Sequence, residues 1–337
     1  MPIQEKIGIV LATYNPKIEY LQKQIESIKS QSWENWICHI VDDCSQSIYQ
    51  TAIQKIVVND SRFICHFYKN NLNHYHNFER GLKYCAEDET LTAIALADQD
   101  DIWHTDKLSI LIKHLRYKHV VLVHSDLEMI NGNDQTISIS TWKFEGRNPE
   151  KLSTDLLLLR NVVTGCSLMF CRSIIQDVLP FPPQDKIRWY HDWWIAVVAS
   201  HRGRIEHIHQ PLVRYRIHGS NNVGVIQDVG KFHQEFIVWR SKKFKIVGDS
   251  YLAHCNFSKE FYIRFQPELD SINWSNPFED TKLNFGTNII KLCCQSLRVG
   301  YNAEGIGIRV CFFKFLFDVK KVYIYLFGKI KFKNHNE

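Results

Sequence analysis

Thr92-Ala93-Ile94-Ala95-Leu96-Ala97-Asp98-Gln99-Asp100-Asp101-Ile102-Trp103 is the stretch on which the fold of this chain turns. An apolar run bounded by a polar cluster reads as a buried strand, here ending at Ala97. Three carboxylates, Asp98, Asp100 and Asp101, follow at once. Left unpaired they would repel one another. A divalent cation removes that cost, and hard oxygen ligands suit magnesium or manganese, which also bridge diphosphates. The ordinary alternative is a solvated acidic loop with an Asp capping the next helix.

Upstream, Ile7 to Thr13 is a β-rich run that stops at Tyr14-Asn15-Pro16, where Asn15 is expected to cap a helix that Pro16 opens. Ile18, Leu21, Ile25 and Ile28 share one face of that helix. Trp36 to Val41 is a second strand, ending at Asp42-Asp43, and Phe63 to Tyr68 a third. Alternating strands and helices predict an α/β fold: a mostly parallel twisted sheet flanked by helices, with ligands beyond the carboxyl ends of its strands. Asp42-Asp43 and the Asp98 cluster should therefore face one crevice. The first turn, Thr13 to Lys17, has no glycine, which argues against a dinucleotide fingerprint, and no P-loop occurs. Phosphate has to be held in another way.

Downstream, Val120 to Ser125 is a strand, Asn131 to Asp134 has turn composition, and a leucine-rich helix begins near Leu152. A strand over Gly165 to Cys171, a helix over His191 to Ser200 and strands within Arg204 to Ile217 complete the pattern. The 337 residues divide into a catalytic region, 1–228, with halves 1–125 and 126–228, and a helical basic and aromatic extension, 229–337. In that extension Arg309 to Phe317 and the lysines at 320, 321, 329, 331 and 333 predict either an interfacial membrane segment or a helix packed on the domain. Lys314, Asp318, Lys320 and Lys321 interrupt it too often for a spanning helix.

A formal charge of +5 with 45% hydrophobic residues fits a packed globular protein and lacks the concentrated basic stripe of a nucleic-acid binder. The ten cysteines form no CxxC pair and no zinc spacing, and no secretory signal opens the chain, so the expected compartment is the cytoplasm.

Ile9-Val10-Leu11-Ala12-Thr13-Tyr14-Asn15, Val41-Asp42-Asp43-Cys44-Ser45, Ala97 to Trp103, Asn161 to Cys166, His191-Asp192-Trp193-Trp194 and Tyr215 to Asn221 occur in an order that resembles glycosyltransferase family 2, of GT-A fold, and within it the rhamnosyltransferase branch. The resemblance covers roughly residues 5–225. It implies an inverting transferase that moves a sugar, L-rhamnose from dTDP-rhamnose or else a UDP-hexose, from a nucleotide-sugar donor to a lipid-linked O-antigen or capsule acceptor.

It also implies roles. Thr13, Tyr14, Asn15, Asp42 and Asp43 would line the nucleoside side, with Arg80 a diphosphate contact, although Asn73-His74-Tyr75-His76 departs from the family's Asn-x-Gly spacing. Asp98 and Asp100 would hold manganese or magnesium, with His218 as a further ligand or a merely structural histidine. Asp192 would be the catalytic base, kept ionised by its helix start, or simply a cap. His191, Trp103, Trp193 and Trp194 would face the acceptor, with one of the two adjacent tryptophans expected in the core because helix neighbours diverge. The rivals are a noncatalytic carbohydrate- or nucleotide-binding module and a nucleotide-sugar hydrolase or pyrophosphorylase.

Overall fold

The computed structural model describes residues 5–150, 152–184, 189–218, 244–274 and 276. Gly219, Ser220 and Asn221 and the basic aromatic tail lie outside them. The chain forms two units: the first takes residues up to Leu152, Asn161–Phe181 and Tyr190–Gln227, the second Ser153–Arg160, Pro182–Trp189 and the chain from Asp228. The second unit thus borrows two short segments from the expected catalytic region. One is the leucine-rich helix, too short at Thr154–Leu159 to bury its apolar face alone, which packs on the long helix Phe244–Ser271 of the same unit.

In the first unit β1 (Lys6–Thr13) is nearly all buried and pairs in parallel with β2 (Trp36–Asp42) on one side and β4 (Leu91–Ala97) on the other. Beyond β2 lies β3 (Phe63–Phe67), also parallel. Helices α1 (Ile18–Lys29), α2 (Ser47–Val57) and α3 (Asn73–Glu87) make the crossovers, and α1 turns Leu21, Ile25 and Ile28 inward as the spacing predicts. Gly81 on α3 lies against β1: a Cβ there would stand 2.2 Å from Val10 Cγ1.

The sheet order β3-β2-β1-β4 reverses direction between β1 and β4. In open α/β sheets such a reversal leaves a crevice beyond the carboxyl ends of the two strands. Past β4 the sheet becomes mixed. The strand β8 (Leu168–Cys171) runs antiparallel to β4 and to the long β6 (Val120–Ile130), which pairs in parallel with β9 (Arg204–Arg216). The two-residue β5 (Ile102–Trp103) closes antiparallel on β9, and β7 (Thr136–Ser138) hairpins onto β6. Gly165–Ser167, expected as strand, is a 3-10 turn leading into β8. The helices here are α4 (Lys107–Leu115), α5 (Thr141–Glu145), α6 (Thr154–Leu159, in the second unit), α7 (Ile175–Val178) and α8 (His191–Arg202).

Candidate active site

The crevice at the β1/β4 reversal is bridged by one amide. Tyr14 N–H donates to Gln99 Oε1 (2.8 Å) and Gln99 Nε2 donates to Tyr14 O (3.3 Å), while the Tyr14 ring stays 50% exposed. Asn15 does not cap α1. It sits at φ 40°, its N–H donates to Ser45 Oγ (2.7 Å), and its Oδ1 accepts from Gln46 N–H (3.0 Å). The Asn15 side chain is committed to the neighbouring turn, and α1 begins after Lys17 with no side-chain cap.

That second turn is organised by its two acids. Buried Asp42 accepts from Thr13 Oγ1 (3.0 Å), Ser45 N–H (2.9 Å), Ser45 Oγ (2.6 Å) and Gln50 Nε2 (3.2 Å). Asp43 Oδ1 accepts from Leu72 N–H (2.8 Å) and Arg80 Nη1 (2.9 Å), and burial nevertheless lifts its carboxyl above the usual range. Arg80 also lies 3.9 Å over the Tyr68 ring and donates to Asn70 O (3.2 Å). Thr13, Asn15, Asp42, Asp43 and Arg80 thus form one interlocked rim. The two carboxylates spend their lone pairs holding it together.

The acidic turn after β4 is pinned from the far side by β9. Asp101, fully buried, accepts from Arg216 N–H (3.0 Å), and Arg216 Nε donates to Asp100 O (2.7 Å). The Arg216 guanidinium, 4.1 Å over the Tyr20 ring, also pairs with Asp134 and Asn131 O in the β6–β7 turn. Asp100 Oδ2 and His218 Nε2 stand 2.7 Å apart. Lys107 is fully buried, donates to Cys166 O (2.7 Å) and lies 3.2 Å over the Trp103 ring. Burial lowers the Lys107 ammonium to about 7, against the pull of nearby groups that include Asp101 and Asp98. Burial, and then Asp100, pushes Asp101 up to about 7. Asp98 rises well above the carboxylate range through burial and through Asp101, Asp100 and Asp192.

Two donor sets present themselves for a cation. Asp98, Asp101 and Cys166 bring ligand atoms within 4.8 Å of one another. Burial, however, drives the Cys166 thiol well above its ordinary value, so it keeps its proton, and Asp101 has one oxygen tied to Arg216 N–H while the other is buried without a hydrogen-bond partner. A protonated thiol is a poor partner for a hard cation. Asp100 and His218 offer a second pair, an oxygen and an imidazole nitrogen 2.7 Å apart, on the same turn as the half-buried Asp98.

Asp192 opens α8. Its Oδ2 accepts from Gly165 N–H (2.9 Å) and its Oδ1 from Asn161 Nδ2 (3.0 Å) and Trp193 N–H (2.7 Å). The helix start is expected to help keep it ionised. Burial outweighs those donors and the Arg147 charge, and pushes Asp192 up to about 6. Its charge is one of the influences that raise Asp98.

The expected acceptor face shrinks. Trp194 is 0% exposed, with its indole N–H on Val178 O (2.9 Å), and Trp103 is buried beneath Lys107. His191 is buried and stacked on Phe78 at 3.8 Å. None of these rings has a face left for a sugar. Trp193 alone of the four is partly exposed, as helix divergence requires.

Gln99, Lys107, Arg216, Asn161 and Gly165 were given no role of their own in the sequence. Gln99 and Arg216 stand inside recognised motifs, so position within the motif was the available signal. Lys107 carried none, because a lysine on an amphipathic helix reads as solvent-facing.

An acidic rim at the reversal point of a GT-A-like α/β sheet defines the class of protein. Residues 8–178, just over half of the chain, match the model of Glycosyl transferase family 2, and the chain belongs to that family. An uncharacterized glycosyltransferase of Nostoc sp. is 28% identical over 224 residues, covering 64% of this chain and 66% of the relative. The UDP-Glc:alpha-D-GlcNAc-diphosphoundecaprenol beta-1,3-glucosyltransferase WfgD of Escherichia coli is 25% identical over 199 residues, 58% of this chain and 70% of WfgD. Relatives from Rickettsia bellii and Rickettsia felis are matched over only 33% and 46% of their length. Residues 1–349 of Staphylococcus aureus TarS in complex with UDP-GlcNAc share the fold, with a TM-score of 0.51 at 13% identity over 96% of this chain and 92% of that one.

Proposed function

We propose that this chain is an inverting glycosyltransferase that moves a hexosyl unit from a nucleoside diphosphate sugar to a hydroxyl of a lipid-linked surface-glycan precursor. The observation that supports the reading is the cluster of Asp98, Asp100 and Asp101 at the strand-order reversal, together with an Asp192 carboxylate held by Gly165, Trp193 and Asn161 and near enough for its charge to raise Asp98. With its carboxyl at about 6, Asp192 is mostly ionised at neutral pH yet retains useful proton affinity. It takes the acceptor hydroxyl proton as that oxygen attacks the anomeric carbon. The bond to the diphosphate breaks on the opposite face, and configuration inverts.

Tyr14 offers an exposed ring to the nucleobase, within a rim framed by Thr13, Asn15, Asp42 and Asp43, and Arg80 faces the diphosphate side. Manganese or magnesium, held by Asp98, Asp100 and His218, would neutralise charge on the departing diphosphate. Trp193 is the acceptor-side ring. UDP-hexoses lead among donors, since WfgD and WfaP, the latter 34% identical over 123 residues, are named for UDP-Glc, and TarS was captured with UDP-GlcNAc. The rhamnosyltransferase resemblance keeps dTDP-L-rhamnose next in line. With a diphosphoundecaprenol-linked acceptor, the kind named for WfgD, the work would fall at the cytoplasmic face of the membrane, where the tail at 306–337 would make peripheral contact.

The test is a panel of nucleotide sugars with manganese and a lipid-linked acceptor, read by product mass, for the wild type and Asp192→Asn. The variant is expected to bind donor and form no product. Near-normal turnover by Asp192→Asn would remove it from the base role, and free sugar without glycan extension would mark a hydrolase.

A further inference from the structure

Asp192 is held by a cradle of one side-chain amide and two backbone N–H groups. Asn161 Oδ1 accepts from Val163 N–H at 3.0 Å, which fixes the amide's orientation and turns Nδ2 toward Asp192 Oδ1 at 3.0 Å. Gly165 N–H holds the other carboxylate oxygen at 2.9 Å. Only glycine fits there: a Cβ would stand 2.7 Å from His191 Nε2, and the stack on Phe78 denies that ring room to retreat.

We infer that Asn161 is a positioning residue for the transfer reaction, orienting the Asp192 carboxylate and favouring its ionised form, with Gly165 closing the cradle. The inference rests on the base role proposed for Asp192. The amide hydrogen bond is one of the influences that hold the Asp192 proton affinity down against burial, together with Gly165 N–H, Trp193 N–H and Arg147. Among the described residues, the charged and titratable groups around the carboxylate are Asp98 from the end of β4, Arg147 beyond α5, and His191 on α8 itself, whose burial keeps it neutral. Arg147 donates to Thr164 Oγ1 at 3.1 Å, so it is anchored to the same 161–165 segment.

Asn161→Asp is the discriminating variant. It is isosteric and keeps an acceptor for Val163 N–H, but it replaces a donor to Asp192 with a second carboxylate about 3 Å away, and such a pair shares one proton. Log kcat/KM is measured against pH for the wild type, Asn161→Asp and Asn161→Ser, with UDP and manganese binding titrated in parallel and Asp192→Asn as the control. Nucleotide binding is expected to stay within about twofold. The acid limb of Asn161→Asp is expected to move up by about one pH unit or more, so that kcat/KM at pH 6.5 falls roughly tenfold and recovers on the alkaline side. Asn161→Ser, whose shorter side chain no longer places a donor at Asp192, should move the limb in the same direction by less, and it carries the test if the Asp variant folds poorly. An unmoved limb in both variants, with Asp192→Asn inactive, overturns the role of Asn161 alone. An active Asp192→Asn overturns the base assignment beneath it.

Discussion

His124 lies in the middle of β6, opposite Leu168 of β8 and His207 of β9, and is fully buried with its ring 5.3 Å from Trp142. Neither ring nitrogen has a hydrogen-bond partner in the structure. Burial, reinforced by His207 and Arg147, holds its imidazole down at about 3. The unfolded chain takes up this proton near pH 6.5, whereas the native state refuses it until about pH 3. The native state therefore binds fewer protons across that window, and stability must fall as pH drops through it. Each pH unit below 6.5 costs about 1.4 kcal/mol, so acidification from pH 7 to 5 withdraws about 2 kcal/mol through this one group. His124→Leu abolishes the titration at similar side-chain volume. Urea unfolding followed by tryptophan fluorescence at pH 7 and pH 5 should show the acid penalty smaller in the variant by about that 2 kcal/mol. His39, lowered to about 4 by burial and then His66, contributes in both chains and cancels in the comparison. Equal acid penalties for the two proteins, within about 0.5 kcal/mol, would refute the assignment.

Gly81→Ala is expected to destabilise by about 1–3 kcal/mol, because the new methyl stands 2.2 Å from a Val10 atom that has nowhere to go; thermal melting should show the loss while kcat of the folded fraction stays unchanged. Lys107→Met removes the donor to Cys166 O and the cation over the Trp103 ring and should cost about 1–3 kcal/mol in urea unfolding; a loss within about 0.5 kcal/mol would show that neither contact stabilises the fold.

The first half of the sheet was legible because each of its strands is an apolar run that stops at a polar turn, and parallel order follows from the intervening helices. Antiparallel β8 was hidden: four residues, Leu168–Cys171, carry no sign of which neighbours they join. The carboxylates of the cleft were legible as chemistry, since acids clustered at strand ends require a partner. Their division of labour was not. Asp100 faces His218 while its neighbour Asp101 faces inward to Arg216, and that difference depends on where β9 passes, some 115 residues later in the chain. Trp103 and Trp194 looked like sugar platforms because ring type is visible in a sequence and ring direction is not. Asn15 has the chemistry of a cap, yet the adjacent turn claimed its amide first.

The acidic turn between β4 and β5 is fastened at both ends, by the sheet behind it and by the Arg216 contacts ahead. A segment already held in shape loses little freedom when a ligand arrives, so more of the contact energy survives as affinity. Whatever rearrangement accompanies a catalytic cycle is thereby displaced onto other parts of the molecule, while the backbone that carries Asp98 and Asp100 stays where the sheet and Arg216 hold it.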